Sequence, residues 1–218
     1  MVPGRRILFV DSQTLFREAV TALCRERPGV DEAVAAGTVR EAVDVLKAND
    51  FDVVFTAPRM PDGTPFDIPR RIRAARESAR ILILDEEFSL LHVRAAVQLQ
   101  VYGYWTKRAE FEHLMTAVER VMDGRYAYCP CTNAVVRMTP RGPMFIVPPD
   151  RDLLGRLTHR ELEVLFHLAR GKTLRECAEE LQLSTSTVDN HKTHMMRKLG
   201  VKRTVELISV AYRNGLLD

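Results

Sequence analysis

Twice between residues 157 and 181 a threonine stands three positions ahead of a glutamate, with an apolar repeat behind it. This pairing is a capping box. The threonine hydroxyl and the glutamate carboxylate each satisfy a backbone N–H left over where a helix begins. Thr158 and Glu161 open one helix, with Leu162, Leu165, Phe166 and Leu168 as its apolar face, and Gly171 stops it. Thr173 and Glu176 open a second, with Leu174, Cys177, Ala178 and Leu181 facing inward. Ser184 is placed to cap a third. On that helix Val188, Met195 and Leu199 recur at core spacing, and Gly200 ends it. A fourth helix is expected from about residue 204 to Asn214, closed by Gly215. Start and stop signals this dense confine the end of the chain to a small bundle of short helices.

The outward face of the third helix is small and polar: Ser186, Asp189, Asn190, Thr193 and Arg197. The net charge of the 218-residue chain is only +3, so any affinity for a polyanion must come from local clustering. Such a cluster is present. Between Asn190 and Arg203 stand Lys192, Arg197, Lys198, Lys202 and Arg203, with no acid among them. Phosphate contacts supply affinity and base edges supply sequence information. Lys192, Lys198, Lys202 and Arg203 suit phosphates; Asp189, Asn190 and Thr193 suit base edges, since Asn can pair with adenine and Asp can accept from cytosine. Asp189 would also repel phosphate if it pointed outward. A helical bundle with a solvated charged face explains a loose pattern of this kind equally well.

The ordered string narrows the choice. Leu157-Thr158-x-Arg160-Glu161, Gly171, Leu183-Ser184-x-x-Thr187-Val188-x-x-His191 and Lys198-Leu199-Gly200-Val201 resemble the LuxR/FixJ-type DNA-binding domain over roughly residues 153–218. The resemblance implies that residues 184–199 form the recognition helix, with Ser184, Thr185, Ser186 and Thr187 at its start among the DNA contacts. It implies binding to double-stranded DNA as a dimer, on half-sites about one helical turn apart. It also implies a dimer contact on the last helix, where Val205, Ile208 and Tyr212 are candidates that a core role explains equally well.

From residue 5 to about 124 short apolar runs alternate with helical patterns. Arg6–Val10, Phe51–Thr56, Ile81–Leu84 and Val101–Thr106 read as buried strands, and residues 30–36 as a weaker fifth. Between them, Leu15, Ala19, Leu23 and Cys24 follow helical spacing. Thr38 with Glu41 has capping-box form ahead of Val39, Ala42, Val43 and Leu46. Residues Ala109 to Met122 form a further helix on a stripe of Leu114, Val118 and Val121. This predicts an α/β doubly wound, five-stranded parallel sheet in flavodoxin-like order, followed by a small all-α helix-turn-helix domain.

Leu-Phe-Val-Asp11, Pro-Arg-Met-Pro61 and Gly103-Tyr104-Trp105-Thr106-Lys107 resemble the receiver domain of two-component response regulators, and the two halves together resemble the NarL/FixJ class. A receiver takes a phosphoryl group on an aspartate, using a carboxylate nucleophile and a Mg²⁺ held by neighbouring carboxylates. Counting back from Met60-Pro61 puts Ala57 at that acceptor position, and a methyl group cannot attack phosphorus. Asp52 cannot substitute, being five strand residues, about 16 Å, away. Where the family has two adjacent acids, this chain has Asp11 and Ser12. Where it has a small hydroxyl residue after strand four, this chain has Asp85. Lys107 survives, and Tyr104 holds the switch-aromatic position. A buried ammonium left alone is costly, so Lys107 is expected to pair with Asp85, with Asp11 as the other candidate. The bland reading leaves both in solvent. A rescue reading makes Asp85 a phosphoacceptor with metal on Asp11 and Glu86.

Residues 125–152, rich in proline, read as a linker with a short helix near Asn133–Met138, between domains at 1–124 and 153–218. No membrane span or export signal is evident, so a cytoplasmic protein with four reduced cysteines is expected. Cys129-Pro-Cys131 could bind metal or form a redox pair, but its spacing is shorter than common zinc motifs. Cys24 and Cys177 fall on apolar faces. The histidines lack metal-ligand spacing. No nucleophile–base pair or glycine-rich phosphate loop points to an enzyme, and no cofactor or metal is called for. The expectation is a phosphorylation-independent, dimeric DNA-binding regulator, governed by abundance, a partner protein or a small ligand. The alternative is a protein-interaction module whose degenerate receiver docks a kinase or another regulator, with weak or no DNA binding.

Overall fold

The computed structural model describes residues 4–148, 152–214 and 216, which form two compact units, the first of residues up to 88 and 92–146, the second of residues 89–91 and those from 147 onward. In the first unit strands and helices alternate: β1 (Arg5–Val10), α1 (Thr14–Arg25), β2 (Val30–Ala36), α2 (Val39–Ala48), β3 (Val53–Thr56), α3 (Ile68–Ala75), β4 (Arg80–Asp85), α4 (Leu90–Gln98), β5 (Gly103–Thr106) and α5 (Phe111–Met122). The five strands are parallel in the order β2-β1-β3-β4-β5, as the alternation predicts. Successive strand side chains serve opposite faces. Ile7, Phe9, Val53, Phe55, Leu82 and Leu84 meet α1 and α5 on one face. Leu8, Val10, Val54, Ile81 and Ile83 meet α2, α3 and α4 on the other. Both faces are dry, which is why these strands are continuous apolar runs rather than alternating ones.

The buried stripe of α1 differs from the sequence reading by one position. Val20, Thr21 and Cys24 are buried, whereas Leu15 is 82% exposed, Leu23 is 49% exposed and Ala19 faces solvent. Phe16, Val20 and Cys24 have the same four-residue spacing as Leu15, Ala19 and Leu23. The direction from which the chain leaves β1 decides between the two. At α2 the Thr38 hydroxyl caps the Glu41 N–H as expected, but the Glu41 carboxylate accepts from Gly37 N, one residue earlier than in a full capping box.

The stretch after α5 is structured. Residues 126–129 run beside β5, with Ala127 N donating to Tyr102 O at 2.8 Å and Cys129 N to Tyr104 O at 2.9 Å. A 3₁₀ turn at Pro130–Thr132 and an antiparallel hairpin of β6 (Val136–Thr139) and β7 (Gly142–Phe145) follow. The helix expected at 133–138 is therefore a turn and a strand. Val136 is buried in the core while Arg137 and Met138 are exposed, a pattern too short to separate the two periods. Residues 149–151 of the expected linker lie outside the described residues.

The second unit holds α6 (His159–Ala169), α7 (Leu174–Leu181), α8 (Thr185–Leu199) and α9 (Thr204–Arg213). Both expected capping boxes are complete, and Ser184 accepts from Thr187 N. Gly200 closes α8 at φ +70°. Gly215, expected to close the last helix, lies outside the described residues. α6 packs against α7, α8 and α9, with Leu162, Leu165, Phe166, Cys177, Val188, Met195 and Leu207 buried.

Gly103 is required by close approach: a Cβ there would lie 2.2 Å from the Ala127 carbonyl oxygen. Gly103→Ala should destabilise the first unit by about 1–3 kcal/mol, because the obstacle is backbone and cannot turn aside. Urea unfolding of wild type and variant measures it; equal midpoints would show that residues 126–129 do not hold this position.

Candidate functional sites

The C-terminal ends of β1, β3, β4 and β5 bring Asp11, Ala57, Asp85 and Lys107 to one edge of the sheet, where open parallel sheets hold their ligands. The Lys107 ammonium lies 2.7 Å from Asp11 Oδ2, 3.0 Å from Gln13 Oε1 and 4.6 Å from the centre of the Phe16 ring. The expected partner was Asp85; the structure selects Asp11 instead. Asp11 is itself fixed, its Oδ1 accepting from Gln13 N at 2.8 Å. Ser12 is exposed and Ala57 is 7% exposed. The gap between Asp11, Phe16, Phe55 and Ala57 is too tight to admit a water molecule.

Asp85 is already engaged. His92 Nδ1 and the Tyr104 hydroxyl each lie 2.7 Å from its Oδ2, and Glu86 N donates to Oδ1 at 2.9 Å. All three side chains are buried. Burial alone would raise the Asp85 pKa. The His92 hydrogen bond and charge, the Tyr104 bond and the Arg59 charge outweigh it and hold the group below the ordinary carboxylate value. An ionised carboxylate only accepts, so in this contact the His92 Nδ1 is the donor. Sequence reading did not find His92. The signal was there: it lies one strand-to-helix turn beyond Asp85, in the first half of α4.

A Mg²⁺ of the kind receivers use needs carboxylates free to bind it. Here Asp11 is held by Lys107, Asp85 by His92 and Tyr104, and the Glu86 carboxylate takes the Gln13 amide. The donor set does not fit the ion, and among the described residues no group of three His, Cys, Asp or Glu could hold a metal.

In the second unit α8 turns Val188 and Met195 inward and leaves Ser184, Thr185, Ser186, Asp189, Asn190, Thr193 and Arg197 exposed, with Thr187 half-buried beneath the Ser184 cap. The polar face is therefore accessible on one side of one helix. Asp189 pairs with Lys192 at 2.6 Å, which neutralises the charge that would repel a phosphate. Lys198 does not reach outward: its ammonium lies 2.6 Å from Oε2 of Glu161, a carboxylate only 3% exposed. The same oxygen accepts from Thr158 N in the α6 capping box. Burial would raise the Glu161 pKa, but Lys198 and Thr158 hold it low. Arg203 pairs with Glu206, while Arg197 and Lys202 have no acidic partner among the described residues. On α9, Val205 is 74% exposed, Tyr212 is largely exposed and Ile208 is half-buried.

A group whose folded pKa is depressed adds stability above its unfolded value and loses it as pH falls through the folded value. For Asp85 that window opens below the ordinary 3.8. In urea titrations carried from neutral pH into this acid range, the stability advantage of wild type over Asp85→Asn should shrink steadily. An advantage independent of pH would mean that Asp85 is not ionised in the folded protein.

Comparison with known proteins agrees with this geometry. Residues 7–119, more than half of the chain, match the response regulator receiver domain, and residues 155–211 match the bacterial regulatory proteins of the luxR family. The Fimbriae Z protein of Salmonella typhimurium is 27% identical over 97% of this chain and 98% of its own length. The nitrate/nitrite response regulator protein NarP of Escherichia coli is 28% identical over 92% and 91%. Among solved structures, the RcsB response regulator of Salmonella typhimurium, described for its conformational dynamism in DNA interaction, superposes with a TM-score of 0.71 at 20% identity, covering 98% of this chain and 99% of that one. No helix among the described residues is long and apolar enough to cross a membrane. With its receiver sheet followed by a capped helical reader, the chain belongs to the response regulators of the LuxR family, transcription regulators that bind DNA through a helix-turn-helix.

Proposed function

We propose that this regulator reads paired half-sites on double-stranded DNA as a homodimer, through the outward face of α8, and that it needs no phosphorylation to do so. The carrying observation is that Asn190, Thr193 and Arg197 stand exposed beside an Asp189 already neutralised by Lys192. Asn190 and Thr193 take base edges. Arg197 and Lys202, unengaged by acids, take phosphates, while Lys192 and Lys198 mainly secure the reader itself. The exposed Val205 and Tyr212 of α9 supply the dimer contact.

Independence from phosphate is supported by three features of the receiver edge. Ala57 offers no nucleophile, Asp11 is closed by Lys107, and Asp85 is occupied by His92 and Tyr104. The protein then performs no chemistry of its own. The tightness of the gap beside Ala57 favours a partner protein, or the abundance of the chain itself, over a small ligand as its input.

Mobility-shift titrations on genomic fragments, run in a salt series without phosphodonor, test the reading. The slope of log affinity against log salt should fall by about 1 for Arg197→Ala and again for Lys202→Ala. Lys198→Ala should instead weaken the fold by about 1–3 kcal/mol, by leaving the Glu161 carboxylate buried without its cation. Absence of binding, or binding indifferent to salt, would sink the proposal.

Exposure to acetyl phosphate followed by intact-mass measurement should give no phosphoryl adduct on wild type. An adduct that disappears in Asp85→Asn would restore Asp85 as an acceptor and overturn the phosphate-independent reading.

A further inference from the structure

Cys129 and Cys131 are joined by a disulfide across Pro130, in place of the reduced thiols the sequence led us to expect. The two sulfur positions are unequal. Cys129 is buried among Tyr104, Val101 and Val136, whereas Cys131 is exposed. Thr132 secures the turn, its N–H and hydroxyl both donating to Cys129 O at 3.0 and 2.7 Å. The chain ahead of the pair is bonded into the sheet. Cys129 N donates to Tyr104 O, Ala127 N donates to Tyr102 O, and the Trp105 indole N–H donates to Ala127 O at 2.6 Å. Tyr104 is the residue whose hydroxyl reaches Asp85.

We infer that Cys129-Pro130-Cys131 is a reversible thiol–disulfide site, attacked at the exposed Cys131 sulfur by low-molecular-weight thiols, and that its state is transmitted to β5 through residues 127–129. In the forward step a thiolate RS⁻ attacks Cys131 Sγ. The Cys129–Cys131 bond breaks, and Cys129 leaves with the electron pair and takes a proton. A second RS⁻ then attacks the mixed disulfide, releasing RSSR and the Cys131 thiolate, which is protonated in turn. The protein disulfide plus two RSH gives the protein dithiol plus RSSR, and a small disulfide drives the reverse. The other two cysteines do not compete. Cys24 and Cys177 are both free and buried, and burial pushes their thiols up to about 12 and about 11, so they stay protonated and unreactive.

Trp105 is the only tryptophan in the chain, and its indole is bonded two residues from Cys129. It is a built-in reporter. The full-length protein is equilibrated in buffers of graded reduced and oxidised glutathione, then quenched by alkylation for intact mass and peptide mapping, with Trp105 emission read in parallel. The expected result is that labels appear on Cys129 and Cys131 together, that Cys24 and Cys177 stay unlabelled, and that emission shifts with the same midpoint and returns on reoxidation. In Cys131→Ser the emission should no longer respond to the buffer. Labelling of the pair with constant emission would overturn the transmission to β5. A pair that stays oxidised until Cys24 and Cys177 are labelled too, as in an unfolded chain, would overturn the site itself.

Discussion

A carboxylate sunk into the C-terminal edge of a parallel sheet must find donors or give up its charge. At Asp85 that requirement is met by His92, Tyr104 and the Glu86 backbone, and the meeting arranges much of what surrounds it. Tyr104 is drawn fully inside, α4 is tied to the end of β4, and Lys107, deprived of Asp85, turns to Asp11. At this edge of the sheet Asp11 holds Lys107, and Asp85 accepts from Tyr104 beside His92. Both groupings are internal to the first unit.

The reader follows a related logic at the start of α6. Glu161 serves a capping box and a cation at once: the same oxygen accepts from Thr158 N and from Lys198. A helix start and a distant helix end are thereby bound to one buried atom, which sets how α6 and α8 lie against each other. α8 can then present a polar surface without relying on its own modest apolar stripe for position, since only Val188 and Met195 are fully buried along it.

Much of this was legible in the residues. Four apolar runs predict β1, β3, β4 and β5 because a sheet covered on both faces leaves no room for polar alternation, while β2, at the sheet edge and carrying Asp31 and Glu32, gives a weaker signal. The threonine–glutamate pairs predict the reader because capping is a local matter, settled within four residues. What escaped was set by geometry across the chain. Leu15 and Phe16 offer α1 equivalent stripes, and only the path out of β1 chooses between them. Lys107 had two acids within plausible reach, and His92, invisible as a motif, decided which was free. Lys198 sits in a basic run that suggests DNA, yet its partner is a glutamate thirty-seven positions away. The cysteine pair was misjudged because compartment, rather than spacing, set the expectation.

The return of the chain along β5 also bears on the flanks of the sheet. An open sheet flank, with its row of unsatisfied amides, invites a neighbour to add a strand. On one flank residues 126–129 bond to β5 themselves, Ala127 N and Cys129 N donating to the Tyr102 and Tyr104 carbonyls. The opposite flank is β2, which carries Asp31 and Glu32 just after its first residue, acids that a second β2 would have to face. Strand addition is thus discouraged at both sides of the sheet.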